Sequence, residues 1–283
     1  MLYLLGLASR LANTDVNDKM KTVIKRWLLK TLWRYDQAAL VRKLRAQGIA
    51  QGDTLVVHAS WKNDNGFSGS AKDFIDALKT LLGNDGLLIM MSMPYQNQST
   101  RDYLAQGKVF NVNRTPSMMG LLSEVFRRGQ GVVRSVNAAH PLLAWGRDAD
   151  AFVADHHLSQ CSFGADSPFA RLAARGAKLL LIDAPFNTIT YNHYLEAKLA
   201  ARFPVPLFDE APMQCQMLDS NGQTVSMTTQ VLSAQSAPYR IDNMLQQAVQ
   251  QAGKLQQFKL GNTRFMQLKV TDLDQSADKA VHF

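Results

Sequence analysis

The chain of 283 residues holds 46% hydrophobic, 8% aromatic and 19% charged residues with 17 Gly and 9 Pro. That is enough for one large globular domain, and it excludes collagenous, low-complexity and wholly disordered readings. The formal net charge of +8 is lopsided, because residues 1–50 hold ten Lys and Arg against Asp15, Asp18 and Asp36 while the remainder is almost neutral. A basic appendage on a neutral module is therefore expected, not a nucleic-acid-binding face.

No apolar run approaches the roughly 18–20 residues that cross a bilayer, and the first apolar stretch lacks the basic flank of a signal peptide. Two cysteines, Cys161 and Cys215, make neither a disulfide framework nor a metal-ligand spacing. The expectation is a reducing cytoplasm and no metal.

In chain order, residues 1–36 read as a basic amphipathic helical extension. Ile24, Trp27, Leu28, Leu32 and Tyr35 fall near helical spacing, with Lys21, Lys25, Arg26, Lys30 and Arg34 between them. Such a stripe packs on the body or on a second subunit, or rests on an anionic membrane surface or an acidic partner. These alternatives stay open, and so does oligomerisation. The second unit, residues 37–283, begins with a helix over 36–47 closed by Gly48. A strand at 54–58, a helix at 71–82 and a strand at 87–93 follow, then a polar loop over 95–117 and a helix at 118–128. A short segment spans 140–145, with a helix at 168–175 and a strand at 178–183 beyond it. Short apolar strands alternating with amphipathic helices predict an α/β fold, a three-layer sandwich around a largely buried mixed sheet. Residues 203–235 change to Pro, Met, Gln and Thr around Asn221-Gly222, which predicts a small antiparallel excursion. A helix at 241–253, a segment at 262–270 and a terminal turn at 272–280 complete the pattern.

Imidazole is the side chain most easily poised near neutral pH, so the six histidines come first. His193 follows the end of the buried strand at 178–183, and Glu196 lies three positions on, so a helix there puts a carboxylate beside the ring. Its alternative is an ordinary surface pair. His140 follows the run 131–135, where Arg134 and Ser135 could hold phosphate. His58-Ala59-Ser60 ends the first strand, but no Gly-x-Ser-x-Gly elbow supports a serine hydrolase. His156-His157 lacks a zinc spacing and reads as exposed loop. Met90, Met91 and Met93 read as core filling. No Walker loop, dinucleotide fingerprint or phosphate loop of the commonest acetyltransferase fold (GNAT) is present.

Several motifs then occur in one order. Val57-His58-Ala59-Ser60 comes after Gly52-Asp53, and Gly86-Leu87-Leu88 with Pro94 comes after Leu82-Gly83. Phe110-Asn111 precedes Thr115-Pro116-Ser117-Met118-Met119-Gly120, then Glu124-Val125-Phe126-Arg127-Arg128, His140-Pro141, Gly164 with Ser167-Pro168, and Thr190-Tyr191-Asn192-His193-Tyr194-Leu195-Glu196. From about Leu44 to Val281 the chain resembles the aminoglycoside 3-N-acetyltransferase family. That resemblance implies acetyl-CoA as co-substrate, a fold unrelated to the commoner acetyltransferases, and transfer of an acetyl group to an amine of a small carbohydrate-like acceptor. It implies His193 as catalytic base, with Glu196 or Asp242 as its acid partner; family members usually carry Glu at the position of Asp242. CoA would lie over His58, Ala59 and Ser60, the segment with Thr115, Ser117, Met118 and Gly120, and Arg134-Ser135. Amide groups near Ser60 would hold the thioester oxygen.

Two departures bear on the acceptor. The chain has Leu142-Leu143-Ala144 after His140-Pro141, without the serine that many antibiotic-modifying relatives carry there. The nearly neutral body also does not steer a polycation. An amino sugar of surface polysaccharide synthesis is expected over an antibiotic, with His140, Asp64 and Asp102 among the acceptor contacts. An acidic pocket of Asp64, Asp102, Glu196 and Asp209 would favour the antibiotic. The alternative class is a non-catalytic CoA-binding or scaffold protein of the same fold.

Overall fold

The computed structural model describes residues 20–23, 27 and 31–283. In chain order the elements are α1 (Gln37–Ala46), β1 (Thr54–Ala59), α2 (Ala71–Leu82), β2 (Leu87–Met91), α3 (Thr100–Ala105), β3 (Phe110–Asn111), α4 (Leu121–Arg127), β4 (Val133–Arg134) and β5 (Leu142–Gly146). Then come α5 (Ala149–Val153), α6 (Arg171–Ala174), β6 (Lys178–Ile182), α7 (Tyr191–Lys198), β7 (Met213–Leu218), β8 (Thr224–Thr229), α8 (Asp242–Gln251), β9 (Gln256–Leu260), β10 (Thr263–Lys269) and α9 (Val270–Ala280).

Seven strands form one mixed sheet in the order β4-β5-β2-β1-β6-β10-β9. Only the centre is parallel: β1 pairs with β2 on one side and β6 on the other, and β5 and β10 close onto them antiparallel. Side chains of the central strands alternate between two cores. Leu55, Val57, Leu88, Met90, Leu180 and Ile182 meet α1, α2 and α4. Val56, Leu87, Ile89, Leu179 and Leu181 meet α5 to α9. Both faces are covered, which is why these strands read as continuous apolar runs. The three layers follow from that.

Local signals account for the element ends. Ser70 and Asp73 form a reciprocal capping box on α2, of the kind whose loss costs about 1 kcal/mol. Gly48, at φ 86°, supplies the left-handed residue after α1. The excursion predicted over 203–235 contains the β7–β8 hairpin, with Asp219 Oδ1 accepting from the amides of Asn221 and Gln223. Its sheet also takes in β3, parallel to β7, from the stretch expected to be loop. That stretch holds α3 as well, capped by Ser99. The terminal turn is an eleven-residue helix, α9, whose Val270, Leu273 and Ala277 are buried; periodic packing outweighs its many polar residues.

The expected helical extension lies partly outside the described residues: Ile24, Lys25, Arg26, Leu28 and Lys30 are not described. Met20, Val23, Trp27 and Leu32 are exposed. Tyr35 departs from the expectation. It bridges Phe67 in strand fashion, is 4% exposed and shares a hydrogen bond between its hydroxyl and Thr263 Oγ1 at 2.7 Å. An aromatic ring with a polar tip gains more from that slot than from a solvated helix face. No described helix is long and apolar enough to cross a membrane.

Candidate active site

The carboxyl ends of β1, β2 and β6 meet where the chain departs to opposite sides of β1, the position at which open α/β sheets build ligand crevices. A crevice of about 420 Å³ opens there. Its lining includes His58, Ala59 and Ser60 from the end of β1, Met90, Met91 and Met93, the run Met118, Met119 and Gly120, and Thr188 and Thr190. Met90 and Met91 are core residues, as expected, and they also line the crevice. Gly120 has φ 99°, a conformation glycine adopts freely, and a Cβ there would stand 3.8 Å from the Ala59 carbonyl oxygen, inside this space.

His58 is buried, its Nε2 has no hydrogen-bond partner, and burial pushes its imidazole down to about 4. It is a neutral group in an apolar wall.

His193 lies one helical turn beyond Thr190, on α7, and is not part of the crevice lining itself. Its Nδ1 is 2.9 Å from Glu196 Oε2, with side-chain exposures of 18% and 0%. The expected i, i+3 pair therefore forms on one helix face. Burial raises the Glu196 carboxyl, but the hydrogen bond and charge of His193 and the charge of Arg240 outweigh it and leave the group below its ordinary value. Arg240 Nε donates to Glu196 Oε1 at 2.6 Å, and Arg240 Nη2 lies 3.3 Å from Asp242 Oδ2. Asp242 thus does not touch the imidazole. Its other oxygen accepts from Asn192 Nδ2 at 2.7 Å.

Around the His193 ring stand Phe163, at 5.0 Å between centroids, and His140, at 6.2 Å. His140 Nε2 is 3.2 Å from the Tyr95 hydroxyl, which also bonds Thr100 Oγ1 at 2.7 Å. Burial, foremost, holds His140 well below the usual imidazole range, and its Nδ1 has no partner.

Several expected site residues serve the fold instead. The Arg134 guanidinium lies over the Phe110 ring at 4.6 Å and donates to the main-chain oxygens of Ser92 and Thr115. Ser135 is 1% exposed, and its hydroxyl meets the Leu142 amide and His156 Nδ1, each at 2.9 Å. These two do not form a phosphate loop, because both are buried and the Arg134 Nη atoms and the Ser135 hydroxyl are engaged within the fold, although Arg134 Nε has no partner. His156 is fully buried between Ser135 and the Ser162 carbonyl, contrary to the exposed-loop expectation. The Ser60 amide donates to Ile182 O at 2.9 Å and is not free to hold a thioester oxygen. Ser117 bonds Ser123 while its amide donates to Glu124, and Thr115 Oγ1 accepts from the Asn111 amide; of the expected 115–120 segment Met118, Met119 and Gly120 line the crevice, and Thr115 and Ser117 do not.

The acidic pocket is not assembled. Asp102 accepts from Ser99 at the start of α3, Asp209 pairs with Arg101 at 2.5 Å, and Asp64 lines a separate cleft with Lys62 and Arg264. Arg240, Phe163, Tyr95 and Thr100 were not foreseen; Arg240 had only its place beside Asp242 to mark it.

The sheet order, the covered faces and a histidine–carboxylate pair near a crevice at the strand ends describe a three-layer α/β protein with one candidate acid–base site. A family model described as aminoglycoside 3-N-acetyltransferase matches residues 56–281. The chain belongs to that family. Among similar proteins, aminoglycoside N(3)-acetyltransferase VII of Streptomyces paromomycinus is 31% identical over 172 residues, 56% of this chain and 59% of its own length. Aminoglycoside N(3)-acetyltransferase III of Pseudomonas aeruginosa is 32% identical over 190 residues, 61% of this chain and 70% of its own length. The chain thus spans about 60% of the Streptomyces relative. Among solved structures, AAC-IIIb in a binary complex with CoASH has TM-score 0.73 and 22% identity over 87% of this chain and 95% of that one. YokD of Bacillus subtilis has TM-score 0.71 and 22% identity over 87% and 93%.

Proposed function

We propose that the chain is an acetyl-CoA-dependent N-acetyltransferase in which His193 takes a proton from a primary amine of an amino-sugar-type acceptor. The observation that carries this reading is the His193–Glu196 contact at 2.9 Å, its carboxylate sealed and its ring 18% exposed beside the crevice.

An alkylammonium has no lone pair, so acyl transfer to nitrogen needs a base within reach. With Nδ1 directed at Glu196, the free lone pair is on Nε2, and the buried carboxylate stabilises the imidazolium that forms. Acetyl-CoA supplies the activated acyl carbon when bound. The crevice suits its pantetheine arm, because the lining is more apolar than polar, space stays open at Gly120, and the buried His58 Nε2 lacks a partner. His58, Ala59, Ser60, Met118 and Gly120 are the residues that would hold the arm.

The acceptor follows from charge. A relative's structure is described as AAC-VIa bound to sisomicin, and a polycationic drug gains from unsatisfied carboxylates. Here Glu196 and Asp242 share Arg240, and Asp209 is engaged by Arg101, next to the Thr100 that bonds Tyr95. Beside His193 stand Phe163 and a neutral His140. A mono-amino sugar of neutral or acidic character fits that wall better than a polyamine, and sugar faces pack well on aromatic rings.

The test offers acetyl-CoA with kanamycin-type antibiotics on one side and nucleotide- or lipid-linked amino sugars on the other, following free thiol. Thiol release with the second group and little with the first is expected. Release with antibiotics alone reverses the acceptor assignment; CoA binding with no release from any amine identifies a non-catalytic binding protein.

A further inference from the structure

We propose that Arg240 is a positioning residue for the His193–Glu196 pair, held in register by Asp242 and Asn192. The inference rests on the reading of His193 as base. Glu196 is completely buried, and a carboxylate in that position needs its lone pairs assigned. Oε1 accepts from Arg240 Nε at 2.6 Å and from the Ile241 amide at 3.3 Å, which leaves Oε2 for His193 Nδ1 at 2.9 Å. The carboxylate therefore presents one oxygen to the ring, in one orientation, and the ring keeps its proton on Nδ1 and its lone pair on Nε2. Without the arginine, the carboxylate would be free to rotate and to bind a proton.

The arginine is itself tethered. Asp242, in the first turn of α8, lies 3.3 Å from Arg240 Nη2 and accepts from Asn192 Nδ2 at 2.7 Å. A carboxylate is favoured at that helix end. Asn192 and Glu196 are four residues apart on α7, so both ends of the circuit return to the helix that carries His193. The chain Asn192–Asp242–Arg240–Glu196–His193 thus locks α7 to the start of α8 through charge. The Arg240 side chain is 32% exposed, so a partly solvated cation supplies the charge that a sealed carboxylate requires.

The groups that face the pair are His193, Arg240 and, through Arg240, Asp242; the His140 ring stands 6.2 Å from His193. Burial raises the Glu196 carboxyl, and His193 and Arg240 lower it. Removing Arg240 takes away one of the two charges that oppose burial and leaves His193 and the Ile241 amide, so Glu196 binds a proton at higher pH and then no longer accepts as a carboxylate from Nδ1–H.

The experiment is a long-range ¹H–¹⁵N spectrum of the full chain with ¹⁵N-labelled histidine, recorded across pH for the parent, Arg240→Met, Arg240→Lys and Asp242→Asn. The parent should show His193 as the single Nδ1-protonated tautomer. In Arg240→Met that signature should weaken, and the midpoint at which Glu196 takes up a proton, read from its ¹³C carboxyl shift in a parallel glutamate-labelled sample, should rise by about one pH unit or more. Arg240→Lys should restore most of that midpoint, and Asp242→Asn should show a smaller displacement of the same sign. A spectrum and midpoint in Arg240→Met equal to the parent's would overturn the proposal. So would lost stability with an unmoved midpoint, the mark of an arginine that only supports packing. If Arg240→Met fails to fold, the midpoints of Arg240→Lys and Asp242→Asn decide. Should His193→Ala keep full turnover, the base assignment falls; should it lose turnover while Arg240→Met leaves the midpoint unmoved, only the arginine assignment falls.

Discussion

The two sides of the site hold their polar groups in opposite ways. On the β1–β2 side, His58 is buried without a partner for Nε2 among methionines and Val57, and it stays neutral down to about 4. On the α7–α8 side, each oxygen of Glu196 has a donor, and the ring nitrogen that is free points away from them. The first side is suited to holding an uncharged, flexible arm, since thioethers adapt to irregular shapes. The second is suited to moving one proton. On the proposed reading the contrast assigns affinity and chemistry to different side chains, because no side chain of the charge network lines the crevice.

Substitutions can break that separation. His193→Ala should lower turnover by about 10²- to 10⁴-fold, the contribution typical of a positioned base, while CoA affinity measured by calorimetry stays within a few-fold. A parallel loss of affinity would show that the two sides are one site. Gly120→Val should do the reverse, because a branched side chain at φ 99° is strained and enters the crevice; the KM for acetyl-CoA should rise about tenfold, as for roughly 1.4 kcal/mol of lost binding. An unchanged KM would move the arm elsewhere.

A stability measurement sharpens the apolar side by pH. His58 has a folded value of about 4 against an ordinary 6.5, so the unfolded chain binds a proton that the native state refuses. Stability from this group is fully present above about 6.5 and is lost as pH falls toward 4. His58→Leu should flatten the denaturation free energy over that window by up to about 1.4 kcal/mol per pH unit. An equal slope in parent and variant would show that another group sets acid stability.

Much of the fold was legible because it rests on local periodicity. The capped helix at 71–82 and the apolar strand at 178–182 carry their own start and stop signals. The His193–Glu196 pair was legible for the same reason, being a spacing within one helix. What depends on distant partners was not. Arg134 looked like an anion ligand until its guanidinium was found on the carbonyls of Ser92 and Thr115, and His156 looked exposed until Ser135 and Ser162 were seen to enclose it. Arg240 lies 44 positions from the carboxylate it holds, a separation that no short-range pattern records.

β3, just ahead of the segment that supplies Met118 and Gly120, pairs with β7, and the hairpin's Met217 and Met227 share a small core with Ala138 and Ala139, immediately before His140. The hairpin thus braces the stretch ahead of Met118 and the approach to His140 at once. Exchange of the hairpin is therefore expected to displace both neighbours together, because it belongs to a separate three-stranded sheet with its own small core.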